Sequence, residues 1–451
     1  MTKDQLIEQA KRALDIKALN AMQEKVLDCW CDSAGDLVVY SPTGSGKTLA
    51  FAMAALMTLD PHASETPQVL VIAPSRELVI QIAGVIKKLS PLTLVTSCYG
   101  GHQSADESNS LRSRPLVVIS TPGRLVDHIN QGNIELAGIK SLVLDEFDKS
   151  LELGFSDEMS AILRHCPDDA RKILTSATVI EHMPRFVKLN DCHTINMLAS
   201  QALAVDSRLT MWHVAAQGAS PLDTLLKLLL DIPDERTIVF ANTRESAQQA
   251  FLFLMKNTMP AALYHGALEQ IEREKAVTLF NNGSVMVLVA TDLAARGLDI
   301  AGVKHIIHYE LPLTQEVFTH RNGRSARIDA TGDVYLITTP QEPLPHYTGD
   351  CKQYIMKNRC HAKRSSVATM YISAGKKEKI SRGDILGFLS KNSTATAPGD
   401  IGAISIFDHY ALVALPAAKI EQIIKEVSPF KLKKQKVKLS VARPQLRFAK
   451  R

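Results

Sequence analysis

An α/β architecture, with two parallel sheets in tandem followed by a small α+β unit and a basic C-terminal tail, is predicted by three observations. Apolar strand-like runs alternate with helix-length segments through the first two-thirds of the chain, the pattern of parallel sheets with crossover helices. One of those strands leads straight into a glycine-rich loop and a helix. From about Val367 the runs become shorter and the spacing changes. At 451 residues the chain exceeds one typical domain.

The first block of strands is read at 36–40, 69–73, 116–119, 141–144 and 172–175, and the second at 237–240, 285–289 and 305–309. Breaks fall around 196–210 and 340–365, the second polar and opened by prolines. The expected domains are therefore 1–200, 208–345 and 367–428, with a tail at 429–451. Runs at 368–373, 385–389, 401–407 and 410–415 suggest short strands around one helix in the third domain, with Tyr371, Phe407 and Tyr410 as sheet-face aromatics.

Composition narrows the class. The chain is 45% hydrophobic and 22% charged, an ordinary globular balance. No apolar run approaches the ~20 residues of a membrane span, and the polar start at 1–5 does not resemble a secretory leader. A soluble, cytoplasmic, monomeric protein with no membrane role is expected. Seven scattered cysteines fit neither a zinc knuckle nor a redox pair. The net charge of +5 is concentrated at one end. Residues 431–451 hold nine Lys or Arg and no acid, and the preceding 430 residues hold 43 basic against 47 acidic groups, a net −4. A basic, disordered tail of this kind suits contact with nucleic acid.

Two segments carry the chemistry. The first reads Ser41-Pro42-Thr43-Gly44-Ser45-Gly46-Lys47-Thr48, after the strand at 36–40 and before a helical pattern. In that context glycines let backbone N–H groups close around phosphate oxygens, and the helix N-terminus favours the anion. Lys47 supplies a charge for the outer phosphates and the Thr48 hydroxyl a magnesium ligand. The second is Asp145-Glu146-Phe147-Asp148, at the carboxyl end of the strand at 141–144, where α/β sheets present ligands. Asp145 reads as a magnesium aspartate and Glu146 as the group that orients an attacking water. ATP and Mg2+ are the expected cofactors.

Further segments follow strands or sit in loops: Pro74-Ser75-Arg76-Glu77-Leu78, Gly100-Gly101, Thr121-Pro122-Gly123-Arg124, Ser176-Ala177-Thr178, the stretch from Thr291 to Asp299, and the basic run His320-Arg321-Asn322-Gly323-Arg324-Ser325-Ala326-Arg327. In this order and spacing the set resembles the DEAD-box family of ATP-dependent RNA helicases, over roughly residues 15–340. The resemblance implies two RecA-like domains. It makes Lys47, Thr48 and Asp145 the phosphate and magnesium residues, Glu146 the water-positioning group, and Arg324 and Arg327 the arginine fingers. By the same resemblance Gln23 would read adenine and Asp299 would touch the ribose. Asp148, His320, Ser176 and Thr178 couple nucleotide state to lobe closure. Arg76, Gly100, Gly101, Thr121 and Arg124, with Thr243, Arg273 and Thr291 on the second domain, contact the RNA backbone without reading bases.

The chain departs from the family at three places. Phe147 replaces the usual Ala of the acidic box and is expected to pack behind it, near 176–178. No aromatic stands near Leu6, upstream of Gln23, where one is expected. Ala326 replaces a Gly. The third domain resembles the DbpA-type C-terminal RNA-binding domain, an RRM-like fold. Together these imply an RNA-stimulated ATPase that separates short duplexes or remodels structured RNA, ribosomal RNA among the targets. An ATP-gated RNA clamp or scaffold with little unwinding would keep the same motifs; a DNA helicase is a second alternative, disfavoured by 121–124 and the third domain.

Overall fold

The computed structural model describes the whole chain except residues 43, 61–66, 101–103, 199–207, 217–219, 293–299, 301, 326–330, 358, 360–364, 398 and 445–451. Two compact units emerge, one of Met1–Ser207 with residues 297–299, the other of Arg208–Arg296 and Ile300–Arg451.

The first unit is built on seven parallel strands: β1 (Leu37–Tyr40), β2 (Val69–Ile72), β3 (Val95–Cys98), β4 (Val117–Ser120), β5 (Ser141–Leu144), β6 (Arg171–Ser176) and β7 (His193–Asn196). Their order is β3-β4-β2-β5-β6-β1-β7, and every pairing is parallel. β1, β2, β4 and β5 are buried at every position, as expected of strands covered on both faces. The helices are α1 (Lys3–Leu14), α2 (Ala21–Asp32), α3 (Lys47–Met57), α4 (Arg76–Leu89), α5 (Ser104–Arg112), α6 (Pro122–Asn130), α7 (Phe147–Glu152) and α8 (Ser156–Leu163). α3 is buried around most of its circumference. α1 and α2 begin with capping boxes, Thr2 with Gln5 and Asn20 with Gln23. Leu6 is a core residue of this unit.

The second unit repeats the design with β8 (Leu209–Ala215), β9 (Thr237–Phe240), β10 (Ala261–Tyr264), β11 (Val287–Ala290), β12 (His305–His308), β13 (Gly332–Thr338) and β14 (Lys352–Gln353). Their order is β10-β11-β9-β12-β13-β8-β14, again parallel throughout. Counted from the first strand of each sheet, the two permutations are identical. Helices α9 (Pro221–Asp231), α10 (Arg244–Lys256), α11 (Gln270–Asn281) and α12 (Gln315–Asn322) accompany it. Asp231, at the end of α9, accepts bonds from the Tyr354 hydroxyl and from the N–H groups of Lys357 and Arg359, tying down the segment after β14.

The same unit ends in an antiparallel sheet of β15 (Val367–Ile372), β16 (Ile404–Ile406), β17 (Ala411–Pro416) and β18 (Leu439–Val441), ordered β16-β17-β15-β18. Two helices cover it, α13 (Arg382–Asn392) and α14 (Ile420–Val427), where the sequence suggested one. The run at 385–389 lies on α13 and is no strand.

The basic segment from 429 also needs correcting. β18 pairs with β15, Leu432 is buried, and Val437, Leu439 and Val441 pack on the third domain's core. The lysines at 431, 433, 434, 436 and 438 mask apolar residues at 432, 437, 439 and 441, and the last three recur at the strand period of two. The small domain therefore runs on to β18.

Candidate nucleotide and nucleic-acid sites

The loop between β1 and α3 is held from both sides. Gly46 caps α3 with φ +87°, and a Cβ there would lie 2.4 Å from Gln23 Nε2. Only glycine meets both constraints without strain. Gln23 is 5% exposed, and its Nε2 donates to the Gly46 carbonyl at 3.2 Å, while Asn20 Nδ2 donates to the Ser45 carbonyl at 2.9 Å. The expected adenine reader therefore also braces the loop backbone. Ser41 Oγ bonds Ser45 Oγ at 2.7 Å, and the buried Lys47 ammonium donates to the carbonyls of Ser41 and Pro42. Gly44 is left-handed, at φ +82°, and Thr48 is half-buried in the first turn of α3. Thr43 lies outside the described residues.

Two strands away, β5 delivers the acid pair. Asp145 is 3% exposed and accepts from the Thr175 hydroxyl of β6 at 2.5 Å. The same Thr175 oxygen accepts from the Glu146 N–H at 3.2 Å. Burial pushes the Asp145 carboxyl up, opposed by the Thr175 hydroxyl and the Lys47 charge. A carboxylate placed this way favours a nearby cation, so Asp145 and the Thr48 hydroxyl are chemically suited to a hard divalent ion. Glu146 is 8% exposed and left-handed at φ 45°, a conformation that is costly for a residue with a side chain. Asp148 Oδ2 accepts from the N–H groups of Ala177 and Thr178 at 3.2 and 3.1 Å, and from the Thr178 hydroxyl at 2.8 Å. Ser176 Oγ donates to the Thr178 carbonyl, and the Ser176 carbonyl accepts from Ser41 N–H at 3.0 Å. The acidic box, the segment 176–178 and the phosphate loop thus form one hydrogen-bonded edge. Phe147 is fully buried, with its ring edge-on to Phe186 at 6.5 Å.

The first-unit residues expected at an RNA backbone also converge. Arg76 opens α4; its Nη1 donates to the Gly100 carbonyl at 3.3 Å, and its guanidinium lies 5.2 Å from the Tyr99 ring centroid. Thr121 precedes α6 and makes no side-chain capping bond. Arg124 pairs through Nε with the buried Glu107 at 2.5 Å. Gly101 lies outside the described residues.

In the second unit, Thr243 caps α10 by accepting from Ser246 N–H, Arg273 sits half-buried on α11, and Thr291 N–H donates to the Tyr264 carbonyl. His320 is buried, with Nε2 3.6 Å from Glu316 Oε1, and Arg324 is 3% exposed. Asp299 and Arg327 lie outside the described residues.

Arg321 was not singled out in the sequence, yet it is wholly buried and gathers three strand ends. Its Nε donates to Asp292 at 2.5 Å, Nη1 to the Glu310 carbonyl at 3.0 Å, and Nη2 to Asn242 Oδ1 at 2.7 Å. Thr175 and Glu107 were missed in the same way. Only Arg321 had a sequence signal, its place inside the basic run.

The third domain's aromatics form a stack: Phe407 on Tyr410 with centroids 4.5 Å apart, and Tyr410 on Tyr371 at 5.7 Å. Tyr410 and Tyr371 are engaged with α11 of the parallel-sheet domain. The Tyr410 hydroxyl donates to Glu274 Oε2 at 2.6 Å, and the Lys275 ammonium lies 5.5 Å from the Tyr371 ring centroid. Thr369 bonds Asn282 and Ser284 at 2.8 and 2.7 Å.

Twin parallel sheets, one carrying a phosphate loop beside a buried acid pair, define a tandem RecA-like nucleotide-driven motor. Residues 20–186 match the DEAD/DEAH box helicase model, 220–329 the helicase conserved C-terminal domain, and 369–441 the DbpA RNA binding domain. The chain belongs to the DEAD-box ATP-dependent RNA helicase family. It is 32% identical over 419 residues to the ATP-dependent RNA helicase DbpA of Escherichia coli, covering 88% of this chain and 89% of that one. It is 34% identical over 315 residues to the ATP-dependent RNA helicase DeaD of Haemophilus influenzae, covering 69% of this chain and 51% of that protein. Among solved structures it is similar in fold to Saccharomyces cerevisiae Dbp5 bound to RNA and ADP BeF3, with TM-score 0.68, 24% identity, and 77% and 92% coverage of this chain and that one. Mss116 bound to ssRNA and UDP-BeF gives TM-score 0.65 and 24% identity, with 75% and 73% coverage. Among the described residues no helix is long and apolar enough to cross a membrane.

Proposed function

We propose that this chain is an RNA-stimulated ATPase that uses ATP and Mg2+ to separate short duplexes and remodel structured RNA. The observation that carries this reading is the single hydrogen-bonded edge running from Lys47 and Ser41 through Ser176–Thr178 to Asp145, Glu146 and Asp148. In turnover Lys47 and the backbone N–H groups of 44–48 hold the phosphates, Gln23 holds the adenine, and Asp299 holds the ribose. Thr48 and Asp145 would hold magnesium, which when bound neutralises phosphate charge. Glu146, fixed at the end of β5, orients the attacking water. Arg324 and Arg327 neutralise the transferring phosphoryl, with Asp148, Ser176, Thr178 and His320 linking that step to domain closure.

Arg76, Gly100, Gly101, Thr121 and Arg124, with Thr243, Arg273 and Thr291, grip one strand's backbone, so binding is sequence-tolerant and salt-sensitive. The third domain and basic end retain a structured RNA, with ribosomal RNA the proposed class. The protein acts as a cytoplasmic monomer.

Strand displacement tests this. With ATP, a short RNA duplex bearing a structured overhang should separate, and Glu146→Gln should abolish turnover and release. ATP-dependent retention on RNA without displacement would replace the helicase reading with a clamp. Equal ATPase stimulation by single-stranded DNA would overturn the RNA assignment.

A further inference from the structure

Among the groups the mechanism does not use, one buried carboxylate stands out. Glu107, on α5, is 2% exposed and meets partners from the end of β3 and from α6. Its Oε1 accepts from the Tyr99 N–H at 2.7 Å, one residue before the Gly100-Gly101 loop. Its Oε2 accepts from Arg124 Nε at 2.5 Å and lies 2.7 Å from His128 Nε2. His128 is wholly buried, and its Nδ1 faces Asn133 Nδ2 at 3.2 Å. Arg76 completes the group by donating to the Gly100 carbonyl beside the Tyr99 ring.

Cys98, Glu107 and His128 also lie close enough together to suggest a metal centre. The chemistry argues against one. Arg124 already supplies the positive charge that Glu107 needs, and burial pushes the Cys98 thiol up to about 12. A thiol so disfavoured as thiolate is a poor ligand.

We propose that Glu107 is the positioning residue of the first domain's RNA grip, one carboxylate that sets both the backbone entering Gly100 and the guanidinium of Arg124. This rests on the RNA-contact reading of Arg76, Gly100 and Arg124 given above. Glu107 itself need not touch RNA. An arginine side chain has many rotamers, and a bond at Nε selects among them and so fixes where the guanidinium lies. The other oxygen fixes the Tyr99 N–H, so Gly100 and Arg124 are held in one frame and keep a set spacing along a nucleic-acid backbone.

The test is a double-mutant cycle on the full chain, titrating RNA-stimulated ATPase with a single-stranded 20-nucleotide RNA at saturating ATP. Glu107→Gln preserves volume and an acceptor for Tyr99 but removes the charge that holds Arg124. It should raise the half-saturating RNA concentration roughly tenfold, with the rate at saturating RNA within twofold of wild type. Arg124→Ala should raise it at least as much, and the double variant should be no worse than Arg124→Ala alone. Fluorescent ADP affinity, read in parallel, reports whether each variant keeps a folded phosphate loop. A Glu107→Gln half-saturation within twofold of wild type overturns the proposal while Arg124→Ala still weakens binding. Full additivity of the two effects also overturns it, because a generally structural role adds where a positioning role does not. No effect of Arg124→Ala would instead remove the RNA-contact reading beneath it.

Discussion

The two seven-stranded sheets share one permutation and differ almost entirely in what their carboxyl ends hold. After β1 comes a glycine loop with Lys47 at the head of α3; after β8 the chain passes to Ser220 and Pro221 and no lysine opens the helix. After β5 come Asp145 and Glu146. At the same place after β12 stands Glu310, whose carboxylate accepts from Asn242 N–H and Ser246 Oγ, both at 2.6 Å. In the first sheet two acids meet at a strained, buried edge beside the phosphate loop. In the second the equivalent acid is spent on hydrogen bonds that knit strand ends together. One topology thus carries a phosphate loop beside an acid pair once and a hydrogen-bonded frame of strand ends once, consistent with function residing in the loops grafted on a fold.

The comparison is broken most directly by one substitution at each edge. Lys47→Ala should lower RNA-stimulated kcat by about 10²–10³ or more, since it removes a preorganised charge from the phosphates. Glu310→Gln should leave fluorescent ADP affinity within twofold of wild type. Equal loss of nucleotide binding from both substitutions would erase the distinction between the sheets.

The next largest effects are on stability. Phe147→Ala restores the residue usual in the family, yet here it empties a fully buried site against Phe186 and should cost about 3–5 kcal/mol. Arg321→Ala should cost the second unit about 3 kcal/mol, because Glu310, Asn242 and Asp292 lose their common donor. Urea unfolding separates the two, since Trp30 lies in the first unit and Trp212 in the second. Each substitution should shift mainly its own tryptophan's transition. If the familial Ala proves harmless, Phe147 is not a packing requirement.

A pH effect belongs to the second sheet. His308 of β12 is wholly buried between Phe240 and Phe318, with Nε2 2.9 Å from Asn322 Oδ1, and burial beside the Arg321 charge pushes it down to about 3. An unfolded histidine titrates near 6.5. Between those values only the unfolded chain takes up this proton, so the contribution is complete above about pH 6.5 and falls as pH drops toward 3. From pH 7 to 5 this group should remove about 2 kcal/mol, and His308→Gln should abolish that part of the slope in the Trp212 transition. An unchanged slope would show that His308 is charged while folded.

Local patterns were legible in the sequence; partners brought from elsewhere were not. The phosphate loop, the acid pair and each apolar strand run are complete within about ten residues, so they showed in order and spacing. Thr175, Glu107 and Arg321 matter because of residues 29–30, 8–21 and 11–79 positions away, which no single run of sequence displays. β18 was hidden for another reason: its lysine-rich approach carries the charge signature of a solvated tail, and only pairing with β15 reveals the alternation beneath.

The smallest expected effect concerns the third domain, where a sheet-face aromatic serves as stacking platform or as docking group. For Tyr410 the hydroxyl decides, because a base stacks equally well on a phenyl ring, whereas the bond to Glu274 needs oxygen. Tyr410→Phe should therefore leave hairpin-RNA affinity within twofold of wild type and weaken the docking on α11 by about 1 kcal/mol, the net worth of one such bond. In amide exchange that is roughly a fivefold faster opening at β15 and along 270–281, with α3 of the first unit unaffected. Unaltered exchange would mean that Glu274 is an incidental neighbour. Weakened RNA binding would mean that the hydroxyl serves the ligand and not the fold.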